Sequence, residues 1–398
     1  MSNRLSVTFN GFQCENPFLL SSSCVGANYE MCAKAFDMGW AGVVFKTISY
    51  IDVEEVSPRF AFVKQEPNHL IGLKNLEQRA EIHTVEENFE FIRRLKKDYP
   101  HKLMVSSIAG TTETEWETLA RLSEEAGADM IELNFSCPHV VDSELVGASV
   151  GEKPDVVERF CRAARRGTSL PIIAKMTVNA THMDLPAKAA IRGGANSISA
   201  INTIRCITGI DLNNLIGYPN IHGKSAPGGY SGNAVKPIAL RFIQELAMCS
   251  DLKNVPLSGM GGIENWRDAA EFLLMGATTV QVTTAIMQYG YRIIDDLISG
   301  LTTYLDEKGI TNVSDLIGKG LPNMLEPSEL IRGEDVLPIF HEESCIGCGR
   351  CYLSCRDGGH QAIQWERRLR KPIHLKDKCV GCHLCTEVCP VESIEFQL

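Results

Sequence analysis

The chain of 398 residues has no surplus of positive charge: 39 Lys and Arg stand against 49 Asp and Glu, a formal net charge of −10. That balance offers no general field for nucleic-acid phosphates or anionic lipid, which excludes both as first-choice partners. Long apolar runs are missing too, with no window near the roughly 18 apolar residues of a membrane span. The opening Met1-Ser-Asn-Arg-Leu-Ser-Val-Thr-Phe-Asn10 lacks the apolar stretch of a signal peptide, so a cytoplasmic protein is expected. No G-x-G-x-x-G follows the first apolar run; Gly259-Met-Gly-Gly-Ile-Glu264 comes closest, but it lies late in the chain and lacks the third glycine. Hydrophobic residues at 44% and charged residues at 22% exclude disordered, collagen-like and coiled-coil classes and allow a large core.

What the chain does have is fifteen cysteines, unevenly placed. Cys14, Cys24, Cys32, Cys137, Cys161, Cys206 and Cys249 are scattered, whereas eight crowd between Cys345 and Cys389, and that shift marks a domain boundary. A reducing compartment and a core of this size argue against a disulfide framework. The runs Cys345-x2-Cys348-x2-Cys351-x3-Cys355 and Cys379-x2-Cys382-x2-Cys385-x3-Cys389-Pro390 repeat one spacing. In that pattern three thiolates of a run hold one [4Fe–4S] cubane and the fourth crosses to the other. Cys345, Cys348, Cys351 and Cys389 are therefore assigned to one cluster, and Cys379, Cys382, Cys385 and Cys355 to the second. Zinc competes for C-x2-C pairs, but a zinc ribbon gives no reason to repeat the third and fourth cysteines twice. The tail resembles bacterial two-cluster ferredoxins, although Arg356 stands where the first run would carry proline. One-electron conduction is the expected role.

Ahead of this tail, short apolar runs at 18–22, 42–46, 103–108, 130–134, 172–176, 197–201, 255–259 and 279–283 alternate with helix-patterned stretches such as 114–127 and 236–250. Gly127 and Gly194 sit where helices should stop. Eight such units predict a TIM (β/α)8 barrel, followed by a small α+β ferredoxin-like domain. A doubly wound open sheet writes the same alternation. Two features favour the barrel: the missing dinucleotide fingerprint, and polar or reactive residues at the C-terminal ends of most runs, where barrel enzymes place their chemistry. The predicted domains are a barrel over 1–304, a connector over 305–338 and the cluster domain over 339–398.

One-electron carriers joined to a two-electron organic reaction need a converter, and a flavin is the common one. In a barrel, the phosphate of flavin mononucleotide (FMN) would lie near the loops after the seventh and eighth strands, at Gly261-Gly262 and Thr283-Thr284. The segment Glu132-Leu-Asn-Phe-Ser-Cys-Pro-His139 resembles the N-x-S-C-P element of the dihydroorotate dehydrogenase and dihydropyrimidine dehydrogenase families, flavin-dependent barrels acting on a pyrimidine 5,6 bond. Further matches follow in order: Asn16-Pro-Phe18 with Ser22, Phe45-Lys-Thr47, Asn75-Leu-Glu77, Ala174-Lys-Met176, Ile201-Asn-Thr203, Gly229-Tyr-Ser-Gly232 and Gly261-Gly-Ile263. His139 after the Cys-Pro, and the two-cluster tail, are similar to dihydropyrimidine dehydrogenases; dihydroorotate dehydrogenases usually carry Asn there.

The resemblance implies interconversion of uracil or thymine with their 5,6-dihydro forms, with Cys137 as the acid that protonates C5. It implies a substrate shell of Asn75, Glu77, Asn134, Ser136, Asn202 and Thr203, carboxamides being able to meet both carbonyls and N–H groups of the ring. The implied flavin shell is Ser22, Lys46, Thr47, Lys175, Gly232, Gly261, Gly262, Thr283 and Thr284. The polar stretch from Cys137-Pro138 to about Lys153 is expected to be a lid. With no nicotinamide fingerprint in the chain, electrons are expected from NAD(P)H through a partner flavoprotein reductase in a hetero-oligomer. The alternatives are a dihydroorotate dehydrogenase of pyrimidine biosynthesis and a plain electron-transfer protein.

Overall fold

The expected apolar runs fold as strands. In the computed structural model, which describes residues 4–50, 56–66, 69–76, 83–135, 148–178 and 182–396, they are β1 (Phe18–Leu20), β2 (Gly42–Val44), β3 (Leu103–Ile108), β4 (Met130–Asn134), β5 (Ile172–Lys175), β6 (Ser197–Ala200), β7 (Leu257–Met260) and β8 (Ala277–Val282). All pair in parallel, and β8 returns to β1 through Val280 and Phe18, closing the barrel and ruling out an open sheet. Buried on both sides, such strands read as continuous apolar stretches rather than alternating ones.

A helix follows each strand, starting with Tyr29–Asp37 and ending with Ile293–Glu307. Side-chain caps set several starts: Asn28 accepts from Met31 N–H, and the pairs Thr84/Glu87 and Asn265/Asp268 cap reciprocally. Helices Glu113–Glu125 and Asp184–Arg192 stop just short of Gly127 and Gly194. The helices bury one face against the barrel around Trp40, Trp116, Phe89 and Phe272. Among the described residues, no helix is long and apolar enough to cross a membrane.

Two compact units emerge, Met1–Met324 and Leu325–Leu398. The first runs past residue 304, where the sequence places a connector, because Leu305, Val313 and Leu316 are buried in the barrel core. Gly318 and Gly320 N–H groups also donate to Leu273 and Leu274 carbonyls, tying this stretch to the helix after β7.

The excursions after β2 and β6 hold a feature the sequence pattern did not announce, a four-stranded antiparallel sheet in the order Ile204–Cys206, Gly228–Ser231, His69–Asn75 and Phe60–Glu66. Gly229 pairs with Asn75, and a Cβ on Gly229 would lie 2.5 Å from Thr203 Oγ1, so any side chain there would force Thr203 to shift.

The second unit keeps the duplication of its sequence. Helices Arg350–Gly358 and Leu384–Glu387 each carry the third cysteine of a run, and Cys351 and Cys385 pack with Ile363 and Ile394 in a small core. Strands Ile339–Phe340 and Ile394–Glu395 pair antiparallel, as do Ile363–Glu366 and Lys371–His374.

Candidate functional site

The ends of β1, β5, β6, β7 and β8 surround a cleft at the C-terminal face of the barrel, the face on which barrel enzymes place their chemistry. Nine of the expected residues line it: Ser22, Lys175, Asn202, Thr203, Gly232, Gly261, Gly262, Thr283 and Thr284. Gly262 has φ +84°, and a Cβ there would meet Lys236 Cβ at 2.8 Å and the Gly232 carbonyl at 2.9 Å, so the turn presents bare backbone. Hydroxyls brace the opposite wall: Thr283 Oγ1 donates to Ser23 Oγ (3.1 Å) and Thr284 Oγ1 to Ser231 Oγ (2.9 Å).

A second group of expected residues converges on one hydroxyl. Thr47 Oγ1 lies 3.1 Å from Ser22 Oγ and 3.0 Å from Ser107 Oγ, and it accepts from Asn134 Nδ2 at 3.1 Å. The ends of β1, β3 and β4 and the loop after β2 are thus joined by side chains. Lys46, two residues past β2, is buried, and its backbone N–H donates to the Gly26 carbonyl. Asn75 is buried on the rim sheet, and its Oδ1 has no partner among the described residues.

Glu77, Ser136 and Cys137 lie outside the described residues, as does most of the expected lid. The chain on either side is fixed. Phe135 packs on Trp116, centroids 5.3 Å apart, and Trp116 on Phe160. A Cβ on Gly151 would come within 2.7 Å of the Phe135 carbonyl.

Sequence reasoning missed a buried polar network beneath the cleft. Glu132 of β4, wholly buried, accepts from Lys175 Nζ (3.2 Å), Ser199 Oγ (2.9 Å) and Gln281 Nε2 (3.1 Å). Gln281 Nε2 also reaches Ser258 Oγ at 3.2 Å, while its Oε1 is buried without a partner among the described residues. The signal available in sequence was alternation: Glu132 stands two residues before Asn134 in β4, so both face the barrel interior. Ser107, which bonds Thr47, was missed as well.

Next to Asn75, Lys74 turns to the other face of the rim sheet. It is fully buried, donates to the Tyr218 carbonyl at 2.6 Å, and burial pushes its ammonium below the usual lysine range. This bond ties the 207–225 excursion onto the strand that carries Asn75.

In the second unit the cysteines surround two cavities. One is lined by Cys345, Cys348, Cys351 and Cys389, the other by Cys355, Cys379, Cys382 and Cys385. Each cavity takes three thiols from one run and the fourth from the other, the crossed arrangement of two-cluster ferredoxins. No group of three His, Cys, Asp or Glu among the described residues is set to hold a single metal ion. Eight thiols spread around two cavities fit polynuclear clusters better than zinc. Backbone N–H groups of Ala362 and Ser393 donate to Cys355 Sγ and Cys389 Sγ, both at 3.2 Å, as expected of cluster ligands.

The family model "Dihydroorotate dehydrogenase" matches residues 4–305, and "4Fe-4S dicluster domain" matches 339–396. The chain belongs to the dihydroorotate dehydrogenase family. Within it, the chain is 54% identical over 396 residues to the NAD-dependent dihydropyrimidine dehydrogenase subunit PreA of Escherichia coli K12, covering 100% of this chain and 96% of the relative. It is 36% identical over 341 residues to the chloroplastic dihydropyrimidine dehydrogenase (NADP(+)) of Arabidopsis thaliana, covering 82% and 79%. It is also 36% identical over 325 residues to the dihydroorotate dehydrogenase B (NAD(+)) catalytic subunit of Pyrococcus horikoshii, covering 80% and 98%. This dihydroorotate dehydrogenase family barrel fits FMN on its own geometry: a cleft at the C-terminal rim, a buried lysine on its wall, a glycine turn, and an orphaned acceptor on Gln281. A buried acceptor without a partner costs about 1–3 kcal/mol, which a ligand donor offsets.

Proposed function

We propose that the chain is the pyrimidine-reducing component of a dihydropyrimidine dehydrogenase, interconverting uracil or thymine with the 5,6-dihydro forms with FMN and two [4Fe–4S] clusters. The observation that carries this reading is 54% identity across the whole chain, cluster unit included, to a subunit described as NAD-dependent dihydropyrimidine dehydrogenase. The relative described as a dihydroorotate dehydrogenase B catalytic subunit matches less of the chain, at 36%.

The chemistry of the site supports the same choice. Asn75, Asn134, Asn202 and Thr203 are uncharged, and with Glu77 and Ser136 they suit the two carbonyls and two N–H groups of uracil. Orotate brings a carboxylate as well, and none of these six residues is a cation that would receive it. When bound, FMN supplies the hydride for C6 and converts single electrons from the clusters into pairs.

Cys137 is assigned the proton for C5, held at Sγ; a thiol with an ordinary pKa of about 8.5 gives and regains a proton near neutrality. Lys175 sets a fixed positive charge on the cofactor wall, where negative charge accumulates on reduction. Ser22, Lys46 and Thr47 hold the neighbouring wall, and Gly232, Gly261, Gly262, Thr283 and Thr284 receive the phosphate end. The polar stretch that begins at Cys137-Pro138 is assigned as the lid that would exclude water from the ring.

Electrons enter from NAD(P)H through a second, flavin-containing reductase subunit that docks on the cluster unit. The test is turnover of the anaerobically purified, iron- and FMN-loaded chain with a viologen donor. Uracil should yield dihydrouracil, NADH alone should drive almost none, and orotate should be inert. Orotate reduction in place of uracil reduction sinks the reading.

A further inference from the structure

Gln281 combines three facts: it is 2% exposed, it lines the cleft, and its Oε1 has no partner among the described residues. Which end of the carboxamide faces the cleft is decided by its neighbours. A carboxylate only accepts, so Glu132 must receive the amide N–H, as it does at 3.1 Å. Ser258 Oγ, 3.2 Å away, receives the same nitrogen. The oxygen is therefore left over, buried without a partner among the described residues at the wall of the cleft.

Glu132 is fixed from three strands, by Lys175 of β5, Ser199 of β6 and Gln281 of β8. It is wholly buried, and its charge is balanced by the Lys175 ammonium 3.2 Å away. One carboxylate thus does two things: it holds the lysine on the cleft wall and sets the amide orientation of a glutamine on the far side of the barrel.

We propose that Glu132 is a positioning residue that, through Gln281, places a hydrogen-bond acceptor at the cleft wall, and that Gln281 Oε1 receives a donor from the flavin, either the ring N3–H or the ribityl 2′-O–H. The inference rests on the reading that this cleft holds FMN. It makes the site selective for the donor pattern of the cofactor as well as for its phosphate.

The test is a set of affinities on the full apo chain, measured by flavin fluorescence quenching, with FMN, N3-methyl-FMN and 2′-deoxy-FMN. The native chain should prefer FMN over one of the two analogues by about fivefold to tenfold, the worth of one buried neutral hydrogen bond; which analogue loses identifies the donor. Gln281→Leu should bind FMN and that analogue equally. Glu132→Gln leaves Gln281 in place but frees its amide to turn over, and should erase the same preference. Thermal melting of the apo variants separates this from simple unfolding, and Gln281→Met supplies a second variant of similar volume. Native-like discrimination in Gln281→Leu and Gln281→Met, or none in the native chain, overturns the proposal. Absence of FMN binding by the native chain overturns the cofactor reading along with it.

Discussion

Lys175 Nζ and Glu132 Oε1 lie 3.2 Å apart on adjacent strands inside the barrel, with side chains 4% and 0% exposed. Breaking such a pair strands a charge in the core. Lys175→Ala should therefore cost about 3–5 kcal/mol in urea unfolding, while the double variant Lys175→Met with Glu132→Gln should lose much less than the sum of its parts. Additive losses would show that the two groups are not coupled.

The acid role of Cys137 predicts a separation of binding from turnover. Cys137→Ala should keep the yellow colour and bind FMN as the native chain does, with viologen-driven uracil reduction down by orders of magnitude. Near-native rates would remove Cys137 from the mechanism.

Crossed cluster ligation predicts which variants behave alike. Cys355→Ser and Cys382→Ser should each lose about half of the iron and the same electron paramagnetic resonance signal; Cys389→Ser should instead match Cys348→Ser. The lining of the two cavities sets this grouping. If Cys355→Ser grouped with Cys348→Ser, each run would hold its own cluster.

Lys74 gives a pH prediction. Burial lowers its pKa in the folded chain below the ordinary value of 10.5. Between the two values the unfolded chain binds more protons, so stability rises with pH through that window. Lys74→Met should flatten the rise in urea titrations from neutral pH to about pH 10, and it should loosen the 207–225 excursion, seen as faster amide exchange near Tyr218. An unchanged pH slope would mean that the ammonium reaches solvent.

The barrel was legible in the sequence because parallel strands buried on both faces are written as unbroken apolar runs, and because Asn134, Lys175, Asn202 and Thr283 fall where those runs end. The cluster ligands were legible because a repeated cysteine spacing has few other uses. The rim sheet was not, since its pairings, such as Gly229 with Asn75, join excursions far apart in the chain. Nor was the Glu132 network: alone, Glu132 and Gln281 read as isolated polar residues in strands, and their complementarity appears only when barrel closure brings β4 and β8 to face each other across the interior.

The most direct test of the account is an anaerobic titration of the oxidised, fully loaded chain with dihydrouracil, following the flavin absorption and the cluster resonance signals together. The account predicts that dihydrouracil bleaches the flavin band and that the electrons then appear on iron, whereas dihydroorotate leaves both unchanged. Bleaching by dihydroorotate alone, or a flavin that no dihydropyrimidine reduces, would contradict it.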